Sequence, residues 1–517
     1  MPTLTSYVCG AFAHGKGELV PLLNPATEEV CAQASCGGLD AAAVLDHARL
    51  RGGPALRALT FAQRGELLGK LAATIADHRD ELIETSVVNG GTTRGGAKFD
   101  IDGAAGTLQA YAELGKKLGE ARELADGETV MIGRGAKLAG RHLYLSREGV
   151  AVFINAFNFP AWGFAEKAAT ALLAGAPVIN KPATATAWTA ARMAELLVAA
   201  NVLPDGAFQQ VLGTVTPLLE RLGPQDMVAF TGSSGTGTTV RSLPALLRHG
   251  VRVNVEADSL NAAVMGPDVA PGSSAWQTLL RDVSREMTEK SGQKCTATRR
   301  VLVPQARVAE FLEELVDRVR AVKVGNPASR DVEVGPLATR QQMVDVHAGC
   351  ARMRGVAEVA CGEERPANLI DIAAGKGFFC GPTVFVARSD KAVEEAHRDE
   401  IFGPVTTAIP YSGSADDAVA LVRRGGGMLV TSVYSEDREW GSGVAKAIAP
   451  WVGRVCMVDS KSEGITLPPG MVLPDLLHGG PGRAGGGEEL GGLRGVQHYL
   501  ARTAFEGPRA IVERLLG

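Results

Sequence analysis

The stretch VAVFINAFNFPAWGFAEKAATALLAGAPVINKPA, residues 150–183, decides the fold. VAVFIN is a short apolar run of the kind a buried strand needs, and the residues over 162–174 keep helical spacing. PVIN is a second strand, followed by a helix over 187–200. The unit recurs downstream. FQQVLG leads to a helix over 215–222, and MVAFTG leads to one beginning near Ser234, which Pro244 should bend or end. Strand–helix alternation of this kind implies an α/β chain with a parallel sheet covered on both faces.

Working outward, residues 40–125 carry apolar side chains at three- and four-residue spacing and read as helices. The period then changes, and residues 128–150 read as a β-ribbon. A second alternation begins at RVNVEAD and defines another α/β domain from about 256 to 460. It includes the helical SSAWQTLLRDVSREMTEKSG and RVAEFLEELVDRVRAV and the strands TATRRVLVP, GPTVFV, PVTTAIPY, LVTSVYS and RVCMVD. The glycine-dense LLHGGPGRAGGGEELGG follows, where a flexible surface tail is the plain reading, and GVQHYLARTAFEG ends in a strand.

Composition sets limits on partners. The chain has 517 residues, 53 Lys and Arg against 57 Asp and Glu, so no face is expected to hold nucleic acid or an anionic bilayer. MPTLTSYVCGAF has no secretory pattern, and the apolar runs are too short to span a membrane. The eight cysteines form no C-x-x-C pair, so neither structural zinc nor another metal is expected. Free thiols in a reducing cytoplasm are the expectation.

One thiol stands apart. Cys295 lies in GQKCTATRR, residues 292–300, between a flexible Gly-Gln step and a basic, β-prone run. A thiolate is a strong nucleophile near neutral pH, and a merely packed cysteine has little reason to sit in a polar turn. Asn158, in FNFP, falls just beyond a strand, at the edge where α/β sheets bind ligands. Its amide suits a developing alkoxide. Glu256 ends strand RVNVE, where a carboxylate can activate water. Taken singly, a turn asparagine and a partnered structural acid explain these two residues as well. FTGSSGTG, residues 230–237, turns from a strand into a helix whose positive end suits a diphosphate, yet matches neither common phosphate fingerprint.

The ordered set FNFP, NKPA, FTGS, a strand-end Glu, GQ-x-C and EIFGPV resembles the aldehyde dehydrogenase superfamily over nearly the whole chain. That resemblance implies a Rossmann-like dinucleotide-binding domain over 1–127 and 151–255 and a catalytic domain over 256–460. It also implies an oligomerisation β-ribbon and C-terminal strand, over 128–150 and 485–517, that build a homodimer or homotetramer. Cys295 matches the family nucleophile, and Asn158 with the Cys295 amide matches the oxyanion hole. Glu256 matches the base that releases the acid. Lys167 matches a proton-relay lysine, although an exposed helix lysine explains it equally.

For the cofactor, Lys181 matches the ribose-binding lysine, and Gly213 and Ser233 match ribose and diphosphate contacts. Phe157, Thr231 and Gly232 belong to the same cofactor-facing motifs. Glu400 and Phe402 match residues that grip and flank the nicotinamide ribose. Thr184 falls where NAD-preferring relatives often carry a glutamate that would repel a 2′-phosphate, so NADP is expected.

The family stretch Leu-Gly-Gly-Lys after the base is replaced here by Ala257, Asp258, Ser259, Leu260 and Asn261, which puts the mobility of Glu256 in question. This EADSLN version and the glycine-dense tail resemble a subgroup oxidising CoA-bound semialdehydes in aerobic aromatic breakdown. With no hydratase domain after Gly517, the stand-alone type of the benzoate route is expected. The substrate this implies is 3,4-dehydroadipyl-CoA semialdehyde. Arg483 is expected to shape the substrate entrance. A CoA-acylating or broad-specificity aldehyde dehydrogenase is the alternative, and a non-catalytic relative would have lost Cys295 or Asn158.

Overall fold

The computed structural model describes all residues except 134, 136, 463, 516 and 517. Two seven-stranded sheets organise it. In the first, five parallel strands run in the order Arg252–Glu256, Met227–Thr231, Ala151–Ile154, Val178–Lys181 and Phe208–Gln210. An antiparallel pair, Ser6–Val8 and Ala11–Ala13, closes the far edge. Chain order reverses between Ala151–Ile154 and Met227–Thr231. That switch point opens a crevice at the carboxyl ends of the strands, where α/β sheets take ligands.

The second sheet runs Glu358–Cys361, Thr383–Val386, Val405–Tyr411, Arg300–Pro304, Ala262–Met265, Met428–Tyr434 and Val452–Val458, parallel except for the first strand. The helices expected over 40–125 are present, the longest being Arg94–Leu118. The segment after MVAFTG is helical over Ser234–Arg241 and ends there. Pro244 opens a separate helix to His249, a position where its missing N–H costs nothing. The expected helix over 215–222 is a single turn, Thr216–Leu219.

The ribbon consists of Leu124–Ile132 and Leu138–Ser146, with the C-terminal strand Leu500–Pro508 paired to the second of these. Residues 134 and 136 of the expected ribbon lie outside the described residues. Helix Trp162–Leu173 packs between the first sheet and helix Arg94–Leu118 and is buried along nearly its whole circumference. Among the described residues no helix is long and apolar enough to cross a membrane. All eight cysteines are free thiols.

Candidate active site

The Cys295 loop is fixed by contacts on every side of its glycine, where a flexible Gly-Gln step was expected. After helix Ser274–Thr288, three successive residues adopt left-handed backbone: Lys290 at φ 53°, Ser291 at φ 57° and Gly292 at φ 67°. At Gly292 a β-carbon would lie 2.1 Å from the Gly403 carbonyl oxygen, so only glycine fits. The Ser291 hydroxyl donates to the Gly335 carbonyl at 2.8 Å. The Lys294 ammonium, fully buried, lies 2.9 Å from Glu286 and 2.7 Å from Glu289. Lysine at this position is therefore an anchor for the loop. Asn261 donates from Nδ2 to the carbonyls of Cys295, at 2.7 Å, and Ala297, at 2.9 Å. The unusual ADSLN segment thus ties the thiol's backbone to the second sheet.

Cys295 shares one cavity with Asn158, Glu256, Glu166, Thr231 and His478. Asn158 donates from Nδ2 to the Gln293 carbonyl at 3.0 Å, leaving its second amide hydrogen for a ligand. The Cys295 amide has no hydrogen-bond partner among the described residues. Asn158 and Cys295 line the same cavity. His478 Nε2 lies 3.8 Å from Cys295 Sγ and 3.2 Å from Glu256 Oε2. Burial, with the Glu256 charge adding to it, pushes the thiol up to about 12. Burial also opposes charge on Glu256 and His478. Their mutual attraction outweighs it, holding the carboxyl far below its usual range and raising the imidazole well above its own.

Lys167 is fully buried, contrary to the exposed helix position considered from sequence. Its ammonium lies 3.0 Å from Glu166 and 3.2 Å from Glu489. Glu166 lines the cavity while Lys167 stands behind it, so the lysine reaches the site through its neighbour. Burial pushes the Glu489 carboxyl up to about 8 despite Lys167 beside it.

Of the expected cofactor residues, Lys181 and Thr231 end the strands on either side of Ala151–Ile154, at the carboxyl edge of the first sheet. Lys181 ends its strand and Gly213, at φ 97°, lies close by; a β-carbon on Gly213 would come within 2.9 Å of Cys36 Cβ. Lys181 has no ion-pair partner among the described residues, and burial lowers its pKa. Asn155 Oδ1 and Thr231 Oγ1 are buried without hydrogen-bond partners. Unsatisfied polar atoms and an unneutralised, half-buried ammonium fit a dinucleotide carrying phosphate and amide groups. Thr184 opens the short turn after the Lys181 strand. Gly232 donates its N–H to the Glu256 carbonyl at 3.2 Å, and Ser233 caps helix Ser234–Arg241. Phe157 and Phe402 face each other edge-on with centroids 5.9 Å apart. Glu400 accepts from Arg299 and from the Ser259 N–H, both at 2.9 Å.

The glycine-dense tail is ordered, which corrects the surface-tail reading. Leu477–Gly479 pairs with Glu488–Leu490. Gly487 donates to the Val255 carbonyl and Ala257 to the Ala484 carbonyl, both at 3.0 Å, so the tail clasps the strand that ends in Glu256. Arg483 does not line the cavity. Its guanidinium donates to the carbonyls of Arg398, at 2.6 Å, and His397, at 3.2 Å. The tail's contribution to the cavity is His478, which sequence reasoning passed over. The signal available was LLH, a strand-like triplet ending in one of only nine histidines.

The thiol, the amide donor and the carboxylate share one cavity, and this chain belongs to the aldehyde dehydrogenase family, whose model matches residues 12–503. It is 42% identical over 478 residues to the 3,4-dehydroadipyl-CoA semialdehyde dehydrogenase of Aromatoleum evansii, covering 92% of this chain and 93% of that one. It is 29% identical to the chloroplastic betaine aldehyde dehydrogenase of Amaranthus hypochondriacus, covering 94% and 92%. Its fold matches the crystal structure of a putative aldehyde dehydrogenase from Burkholderia cenocepacia with a TM-score of 0.85 at 23% identity, covering 98% and 97%. The fold also matches a betaine aldehyde dehydrogenase mutant of Staphylococcus aureus solved with NAD+, with a TM-score of 0.84 at 22% identity, covering 98% of both chains.

Proposed function

We propose that this protein oxidises a CoA-bound semialdehyde, 3,4-dehydroadipyl-CoA semialdehyde, to the corresponding acid with NADP, in aerobic benzoate degradation. The observation that carries the substrate is the 42% identity, across nearly the full length of both chains, to the Aromatoleum evansii protein of that name. Thr184 near an unneutralised, half-buried Lys181 supports NADP, because nothing anionic there repels a 2′-phosphate and a cation is left to receive it.

In this reading Cys295 attacks the aldehyde carbon, and Asn158 with the Cys295 amide holds the oxygen as it gains charge. A bound nicotinamide dinucleotide supplies the hydride acceptor. The resulting thioester is cleaved by water beside Glu256. Glu166, Lys167 and Glu489 form a buried chain through which protons leave the cavity. The ribbon, with Val130, Met131, Ile132 and Leu138 exposed, serves assembly into dimers or tetramers.

Steady-state rates on CoA-linked and free semialdehydes, with each dinucleotide, test the proposal. The CoA-linked semialdehyde with NADP is expected to give the highest kcat/KM. Equal efficiency on free aldehydes overturns the substrate, and a new thioester formed from added CoA overturns hydrolysis.

A further inference from the structure

The position of His478 bears on how Cys295 loses its proton. His478 is 5% exposed on the strand Leu477–Gly479, with Nε2 between Cys295 Sγ at 3.8 Å and Glu256 Oε2 at 3.2 Å. Neither Glu256 oxygen receives a hydrogen bond from elsewhere in the described structure. The tail hydrogen bonds on either side of Glu256, at Val255 and Ala257, fix its backbone. The remaining charged groups that act on this pair are Lys167 and Glu166 from helix Trp162–Leu173 and Glu489 from strand Glu488–Leu490. The Cys295 thiol interacts with Glu256 as well, but the carboxylate's charge is held by the imidazole at 3.2 Å, and that imidazole itself reaches the sulfur at 3.8 Å.

We propose that His478 is a further catalytic residue: its Nε2 takes the Cys295 thiol proton during attack on the aldehyde, and Glu256 acts by steadying the imidazolium. The inference rests on Cys295 being the nucleophile of the proposed reaction, and is independent of which aldehyde or dinucleotide is used. As the S–C bond forms, the S–H bond breaks; its proton goes to Nε2 and the carbonyl electron pair goes to oxygen. The carbon then loses its hydride to the dinucleotide, leaving the thioester. Water adds to that carbon beside Glu256; one of its protons stays in the carboxylic acid formed and the other leaves through Glu256 and the buried Glu489–Lys167–Glu166 chain, while the imidazolium returns its proton to the departing sulfur. Thiol and imidazole are thereby restored. The reactive form is neutral imidazole beside ionised Glu256, a form whose share grows as pH rises above the ordinary histidine value.

The test uses the full-length, cofactor-free protein and iodoacetamide, with alkylation of Cys295 followed by peptide mass spectrometry from pH 5 to 10. The native protein should show an inflection above pH 6.5. His478→Asn should lose that inflection and alkylate about tenfold or more slowly at pH 8, with the exposed Cys9 alkylated at an unchanged rate. Glu256→Gln should retain alkylation within about tenfold of native, because the imidazole remains. A His478→Asn protein that alkylates like native, with Glu256→Gln nearly inert, assigns the base to Glu256 alone and overturns the proposal. Should His478→Asn not fold, the Glu256→Gln arm decides by itself in the same sense.

Discussion

Asp258 accepts hydrogen bonds from both the N–H and the hydroxyl of Ser234, at 3.1 and 2.5 Å. A carboxylate therefore sits at the first turn of helix Ser234–Arg241, the helix end that a cofactor diphosphate is expected to approach. Binding of the dinucleotide has to work against that charge. Asp258→Asn keeps a side-chain acceptor for the helix cap and removes the repulsion. It should tighten dinucleotide binding about threefold to tenfold, measured by quenching of tryptophan fluorescence. An unchanged or weaker affinity would show that the diphosphate lies elsewhere.

Thr184→Glu places a carboxylate in the turn that follows Lys181. The ratio of kcat/KM with NADP to that with NAD should fall by about tenfold or more. A ratio that does not move removes Thr184 from the selectivity argument.

Lys294→Met replaces a fully buried ammonium with an apolar group of similar length, leaving the buried Glu286 without a cation and Glu289 with Arg285 alone. Uncompensated buried charge costs about 3–5 kcal/mol, and the Cys295 loop is attached to this anchor. The denaturation midpoint should drop accordingly, and Cys295 reactivity with it. A loss below about 1 kcal/mol would mean that the triad contributes little to holding the loop.

Glu489 provides a pH signature. Its carboxyl is raised from the ordinary value to about 8, chiefly by burial. Between the unfolded and folded values the folded chain holds a proton that the unfolded chain has released. This contribution to stability is complete below the unfolded pKa and is lost as pH rises through about 8. Glu489→Gln should flatten the fall in melting temperature between about pH 5 and 8, whatever its effect on the absolute value. Parallel curves for the two proteins would rule this out.

Much of the fold was legible because the strand–helix period is strong from 150 to 256 and again from 262 to 458, and the nucleophile motif is local. What was missed has a common physical origin. His478 meets Cys295 across 183 residues of chain, and no spacing rule reaches that far. The sequence left Lys167 open between a proton-relay lysine and an exposed helix lysine, because a charged pair, Glu166–Lys167, normally marks a solvent face. Here the rest of the helix is alanine, leucine, aromatic, glycine and one threonine, and the third partner, Glu489, comes from the distant tail. Arg483 was assigned to the entrance because of its glycine-rich setting, yet it fastens carbonyls at the end of helix Asp390–Arg398. The tail looked flexible because glycine signals freedom in isolation and close approach in a packed setting, and composition does not distinguish the two.

At Gly485 and Gly487 a β-carbon would fall 2.2 and 2.4 Å from the Val255 oxygen. Any engineering of aldehyde preference on this scaffold must therefore leave those two positions bare. Randomisation belongs in the preceding stretch from 471 to 476, where Val472 borders the cavity and side chains can be exchanged without prising the tail from the strand beneath it.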